Sequence, residues 1–162
     1  MPTRPPLIVL GVVRRSDDSL LLTATADPAT GEPFYRPIGG HLEFGETASD
    51  TLVREFGEEL GLEVTVSSYL GTLENLFTYN GQPGHEVDLV FAAVLNDPAL
   101  YNQSRFPRLD DPPGAQRHAI WVSLKDLRAR PVPLYPSGLL TLLTDPSAPS
   151  FLSAASNSGT RR

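Results

Sequence analysis

The chain has 162 residues, 40% apolar and 20% charged, with a net charge of −6 and an isoelectric point near 5.0. This composition fits one folded globular domain with an ordinary core and excludes a disordered or collagen-like chain. The absence of cysteine excludes disulfides, thiolate catalysis and cysteine metal sites and fits a cytoplasmic protein, while the acidic balance opposes binding to nucleic acid or to an anionic membrane.

Met1 to Pro6 is a Pro-rich lead-in. The apolar run Leu7–Val13 is too short to span a bilayer and lacks a small-residue cleavage site, so it reads as a first strand. Leu20–Ala26 follows across Ser16-Asp17-Asp18-Ser19, and the pair predicts a hairpin. Asp27 to Pro33 is a loop, and Phe34–Ile38 a short strand that runs into Gly39-Gly40.

The spacing predicts a helix over Thr47–Leu60, with Glu46 or Thr47 at its start, Asp50 in the first turn and Gly61 as the stop. Leu52, Val53, Phe56 and Leu60 form its apolar stripe. Gly57 costs such a helix up to about 1 kcal/mol against alanine, which a close approach of another group would explain.

Strands are predicted over Leu62–Tyr69 and Leu73–Tyr79, then a turn through Asn80–Gly84. Val87–Leu95 is an almost continuous apolar run and predicts a central strand buried on both faces. Asn96–Arg117 is a long polar, Pro-rich loop, Ala119–Val122 a last strand, Ser123 the cap of a short helix to Arg128, and Ser137–Leu143 another helix. Residues 1–145 thus form one α/β domain with a mixed β-sheet, and residues 146–162 a loosely held tail rich in Ser, Ala and Pro.

The chemistry concentrates on the predicted helix. Glu55 lies three residues before Glu58 and four before Glu59, which puts the three carboxylates on one helical face, and Arg54 lies four before Glu58. Clustered carboxylates repel one another, and a hard divalent cation with oxygen ligands removes the penalty. Glu46 can reach the same end or hold Arg54, and the Gly39-Gly40 turn can bring a carbonyl alongside. The competing reading is a solvated, Glu-rich helix face.

Spacing decides against it. The stretch from Gly40 to Leu62 resembles the Nudix box, Gly-x5-Glu-x7-Arg-Glu-U-x-Glu-Glu-x-Gly-U with U a bulky apolar residue. Gly40, Glu46, Arg54, Glu55, Glu58, Glu59 and Gly61 occupy the fixed positions, and Phe56 and Leu62 the apolar ones. A chance match in a chain of this length is on the order of one in a million. The element order from Leu7 to Leu143 and the segment Trp121–Leu127 are similar to the family as well.

The resemblance implies a Nudix-like α/β/α sandwich and magnesium-dependent hydrolysis of a phosphoanhydride bond in a nucleoside diphosphate linked to another moiety, with manganese as a substitute. It implies Glu58 and Glu59 as metal ligands, Glu55 as a ligand or a water-orienting base, and the Gly39 carbonyl as a further ligand. Arg54 and Glu46 would hold the carboxylates. The general base is left open between Glu86 and the pair Asp110-Asp111. Arg36 is a candidate phosphate contact, and Tyr35 and Phe77 are candidates for stacking on a base. The expected partner is a small nucleotide, with no nucleic acid and no membrane, and the family is often dimeric. The alternative function is a non-catalytic nucleotide-sensing module on the same fold.

Overall fold

The computed structural model describes residues 4–153. The apolar runs build the expected α/β fold with its mixed sheet, and a second, antiparallel sheet besides. Strands β1 (Leu7–Val12), β4 (Ile38–His41), β5 (Val64–Tyr79), β6 (Gln82–Leu95) and β9 (Phe151–Leu152) form a five-stranded sheet in the order β4-β1-β6-β5-β9. Strands β2 (Ser19–Ala26), β3 (Pro33–Arg36), β7 (Arg105–Pro107) and β8 (His118–Ser123) form a four-stranded sheet in the order β3-β2-β8-β7. The larger sheet is mixed: β1 runs parallel to β6 and β5 parallel to β9, while β1–β4 and β5–β6 are antiparallel.

The expected hairpin of the first two apolar runs survives only at its turn, where Arg14 bridges Leu20, because β1 and β2 then diverge into different sheets. The strand expected over Phe34–Ile38 is likewise two strands. Pro37, which has no N–H for a ladder, separates β3 in one sheet from β4 in the other. The two strands expected between Leu62 and Tyr79 are instead one, β5, whose register slips between Val66 and Ser68 and again between Tyr69 and Gly71. Asn80 (φ 51°) and Gly81 (φ 73°) are both left-handed, which gives the two-residue turn that joins β5 to β6.

Strand β6 is central, as expected, but only one of its faces is fully buried. Glu86, Asp88, Val90 and Ala93 are buried, while Val87, Leu89 and Phe91 between them are half-buried. The long segment after it is not featureless: it holds a 3-10 turn over Pro98–Asn102 and strand β7.

Helix α1 (Ala48–Leu60) seats Leu52, Phe56 and Leu60 in an apolar cluster with Val9, Val13 and Leu21. It lies so close to β1 that a Cβ on Gly11 would strike the ring of Phe56. Val53, expected in the stripe, is 50% exposed, and Thr51 and Glu59 are buried instead. The buried strip runs down the rows headed by Thr51 and Leu52, and Val53 lies about 100° beyond it. Gly57 has open space where a side chain would stand, so no close approach explains it.

Helices α2 (Leu124–Ala129) and α3 (Leu139–Thr144) pack Leu124, Leu127 and Leu139 in a second cluster with Leu20, Leu22, Leu73 and Val90. Ser123 caps α2, its hydroxyl accepting from the Asp126 N–H at 3.1 Å.

The loose tail expected over 146–162 is tied down as far as β9. Phe151 and Leu152 pair with Thr72 and Leu73, the Thr72 N–H donates to the Ser150 carbonyl at 2.7 Å, and Leu152 is buried. The remainder of that segment, 154–162, lies outside the described residues. Among the described residues no helix is long and apolar enough to cross a membrane.

Candidate active site

The start of α1 is set by a capping box. The Thr47 hydroxyl accepts from the Asp50 N–H at 3.1 Å, and the Asp50 carboxylate accepts from the Thr47 N–H at 3.4 Å. The end is set by Gly61 (φ 67°), whose N–H donates to the Gly57 carbonyl at 2.9 Å. With phase and length fixed and the apolar rows against β1, Glu55 and Glu59 face the Gly39-Gly40 segment of β4.

Arg54 organises them. Its Nε donates to both oxygens of Glu46 at 3.1 and 3.2 Å, one terminal nitrogen donates to Glu55 at 2.9 Å and to Glu58 at 3.3 Å, and the other donates to the His41 carbonyl at 3.1 Å. Bonding to Glu46, then to Glu55, pushes the guanidinium pKa above its ordinary value. Glu55 lies directly over Gly40, where any Cβ would occupy the place of its carboxylate. Glu58 is the exposed member, at 58% of its side chain.

Glu59 is buried and differently held. Its Oε1 lies 3.2 Å from Arg108, and its Oε2 has no partner. Burial pushes its pKa up to about 7, with Arg108 acting to lower it, Glu55 and Asp110 to raise it further, and the Gly39 backbone N–H to lower it.

Arg108 belongs to the long loop before β8, and no motif or spacing singles it out. Its side chain is 9% exposed. It forks onto Asp110 at 2.9 and 2.8 Å and donates to the Thr23 hydroxyl on β2 at 3.1 Å. The next residue, Leu109, gives its N–H to the main-chain carbonyl of Glu59 at 2.8 Å. Asp111, the neighbour of Asp110, is bound by Arg117 at 2.7 Å.

Among the described residues no three acids or histidines converge as a finished metal cage. The reason is visible: Arg54 draws Glu46, Glu55 and Glu58, and Arg108 holds Glu59, so the acids gather round arginines. The donor set, carboxylate oxygens with one of them buried and unpartnered, suits a hard divalent cation. A cavity of about 340 Å³ lies at the C-terminal end of the helix, lined by Gly61, Leu62, Glu63, Asp97 and Leu100, and includes none of these acids.

The other candidates form a separate group. Arg36 on β3 pairs with Glu86 on β6 at 3.2 Å, and Asn75 on β5 donates to the same Glu86 oxygen at 3.4 Å. Among the described residues no hydrogen bond or ion pair joins Glu86 to the acids of α1. Two residues along β6, Asp88 is fully buried with both oxygens unpartnered. Burial, then the charge of Glu86, pushes its pKa well above the ordinary carboxylate range against the opposing charge of Arg36, which favours its protonated form.

Tyr35 is half-buried against the second cluster, its backbone bonded to Pro133 and Tyr135 at 2.9 Å each. The ring of Phe77 covers Gly84, its partner across the β5–β6 ladder. Phe34 contacts Tyr79 and Tyr135 with ring centroids 6.3 and 5.3 Å apart. Trp121 stacks on Tyr101 at 5.7 Å beside the first core cluster.

Comparison with known proteins adds independent findings. A sequence model of the NUDIX domain matches residues 4–140. The chain is 33% identical over 109 residues to the low-salt glycan biosynthesis protein Agl8 of Haloferax volcanii, covering 64% of this chain and 69% of that protein. It is 32% identical over 109 residues to the NAD-capped RNA hydrolase NudC of Pseudomonas putida, covering 67% of this chain but 38% of NudC. It is 34% identical over 87 residues to the ADP-ribose pyrophosphatase of Methanocaldococcus jannaschii, covering 54% of this chain and 49% of that enzyme. The fold is similar to the crystal structure of a MutT NUDIX hydrolase from Burkholderia pseudomallei, with a TM-score of 0.63 at 22% identity over 86% of this chain and 97% of that one. The motif from Gly40 to Leu62, the fold and the match across residues 4–140 agree: the chain belongs to the Nudix hydrolase family.

Proposed function

We propose that the protein hydrolyses a phosphoanhydride bond in a nucleoside diphosphate linked to another moiety, that it depends on magnesium with manganese as a substitute, and that it works on small nucleotides in the cytoplasm. The observation that carries this reading is the pairing of Glu46, Glu55, Glu58 and Glu59 with two arginines, with Glu55 over Gly40 and one buried Glu59 oxygen left unpartnered. Relatives named for ADP-ribose and for an NAD cap support a nucleotide pyrophosphate as the substrate class. The net charge of −6 favours small nucleotides over an RNA body.

In this reading Glu58, Glu59 and the Gly39 carbonyl hold the metal, with Glu55 beside them. A bound dication supplies charge neutralisation at the phosphate oxygens and makes water more acidic. The remaining work belongs to the chain. Arg54 keeps Glu46, Glu55 and Glu58 from splaying apart, and so fixes the geometry on which attack at phosphorus depends.

Glu55 is the acid best placed to orient the attacking water and accept its proton. It is held by Arg54 through one oxygen, whereas both oxygens of Asp110 are taken by Arg108 and its pKa is lowered by that bond, which makes it a poor base. Glu86, bonded to Arg36 and Asn75, is assigned to positioning Arg36 towards the substrate rather than to proton transfer.

The test is release of phosphate-containing product from a series of nucleoside diphosphate derivatives, with and without magnesium. Glu58→Gln and Glu59→Gln should each lower turnover by about 100-fold. Undiminished turnover in both variants would overturn the assignment. Magnesium-dependent binding of nucleotide with no product released would favour the sensing module instead.

A further inference from the structure

We propose that Arg108 is the positioning residue of Glu59: it fastens one carboxylate oxygen so that the other is left as a free donor, and the protein's affinity for a divalent cation depends on that grip. The inference rests on the reading above that Glu59 holds metal.

Three observations carry it. The two oxygens of a buried carboxylate are treated differently here, Oε1 lying 3.2 Å from Arg108 and Oε2 having no partner. A buried oxygen without a partner is costly, and such groups in native proteins call for a role. The guanidinium is itself held on three sides: Asp110 takes a two-pronged hydrogen bond, Thr23 on β2 takes another, and Glu59 forms an ion pair at 3.2 Å. A planar fork with this many fixed partners sets an angle as well as a charge, which a lysine cannot reproduce. The loop also holds the same glutamate at its main chain, through the Leu109 N–H, so side chain and backbone of Glu59 are fixed by adjacent residues. Ligating carboxylates are commonly oriented by hydrogen bonds from residues that do not touch the metal, and losing such a partner weakens metal binding by about 10–100-fold.

The experiment measures affinity of the full chain for Mn2+ by electron paramagnetic resonance, with no substrate present, so that turnover does not enter. Arg108→Gln should weaken binding by about tenfold, and Arg108→Lys should recover part of the loss. Arg117→Gln, which removes the Asp111 pair from the same loop without touching Glu59, should leave affinity unchanged. Glu59→Gln should weaken binding at least as much as Arg108→Gln.

Weakened binding in Glu59→Gln with unchanged or tighter binding in Arg108→Gln overturns the positioning role and leaves the metal site standing. Unchanged binding in Glu59→Gln overturns the metal site itself. Equal losses in Arg117→Gln and Arg108→Gln would assign the effect to the loop as a whole and also overturn the proposal. Should Arg108→Gln not fold, the Mn2+-induced rise in Tm of Arg108→Lys replaces it: a rise smaller than in the wild type supports the grip, and an equal rise refutes it.

Discussion

The molecule contains two carboxylate groups that differ in how their charge is balanced. On α1 and the loop beside it, Glu46, Glu55, Glu58 and Glu59 each touch an arginine, Arg54 or Arg108, and Glu58 opens to solvent. On β6, Glu86 has Arg36 and Asn75, but Asp88, beside Glu86, is fully buried and neither of its oxygens finds a hydrogen-bond donor. In the first group an arginine offsets each acid, and burial still raises the pKa of Glu59; in the second, burial and the neighbouring Glu86 favour the protonated form of Asp88. Pairing with arginines leaves carboxylates that a doubly charged cation can recruit. A protonated, sealed carboxyl is a fixed part of the sheet. Proximity of acids alone therefore does not mark a reactive site; what neutralises them does.

The sharpest way to break this comparison is Gly40→Ala. The added Cβ lies where the Glu55 carboxylate now sits, and the flexible end of Glu55 can yield without disturbing the sheet. Turnover should fall by about 100-fold, as expected when a reacting group is displaced by an ångström or so, while the melting temperature moves by about 2 °C or less. A comparable fall in stability would mean that the α1 acids are as structural as those of β6.

A smaller effect is expected at Asp88. Burial and the neighbouring Glu86 raise its folded pKa well above its ordinary value of 3.8, so between the unfolded and folded values the folded chain binds more protons than the unfolded one. Its contribution is full at acidic pH and is lost as pH rises through that window. Asp88→Asn keeps the shape without the titration. In thermal melts from about pH 6 to about pH 9 it should lose less stability than the wild type, the difference reaching about 5 °C in Tm at the alkaline end. Parallel pH profiles in the two proteins would show that the second group is charged after all.

The smallest effect sharpens the contrast from the other side. Thr47→Ala removes the cap of the acid-bearing helix and should cost about 1 kcal/mol in denaturant melts. Because the apolar rows against β1 still hold α1 in place, turnover under native conditions should stay within about twofold.

How much of this was legible depended on the distance over which each feature is encoded. Helix α1, its cap and its stop are local, and Thr47, Asp50 and Gly61 announce them at fixed offsets. The acids follow because one helix carries them all. Val53 misled because a bulky apolar residue next to Leu52 looks like part of the stripe until the neighbour that buries it is known. The division into two sheets was invisible, since β1 and β2, or β3 and β4, have the same alternation whichever sheet takes them. Arg108 was missed for the same reason: its partners Glu59 and Thr23 lie far away in the chain, and no spacing connects them. Asp88 did leave a trace, a single acid inside the otherwise apolar stretch of β6, which a reading of that stretch as simply apolar passes over.

The parallel pairing of β1 with β6 has a consequence for synthesis. On one side β1 pairs with the nearby β4, but on the other its neighbour is β6, with Leu7 opposite Val87, so the sheet on which α1 rests cannot be completed until most of the domain has left the ribosome. The β5–β6 ribbon, whose arms are joined by Asn80-Gly81, can form early from contacts close in sequence. The acidic helix thus emerges before its resting place exists, and until β1 docks on β6 its apolar side, with Leu52 and Phe56, is the surface most open to a chaperone.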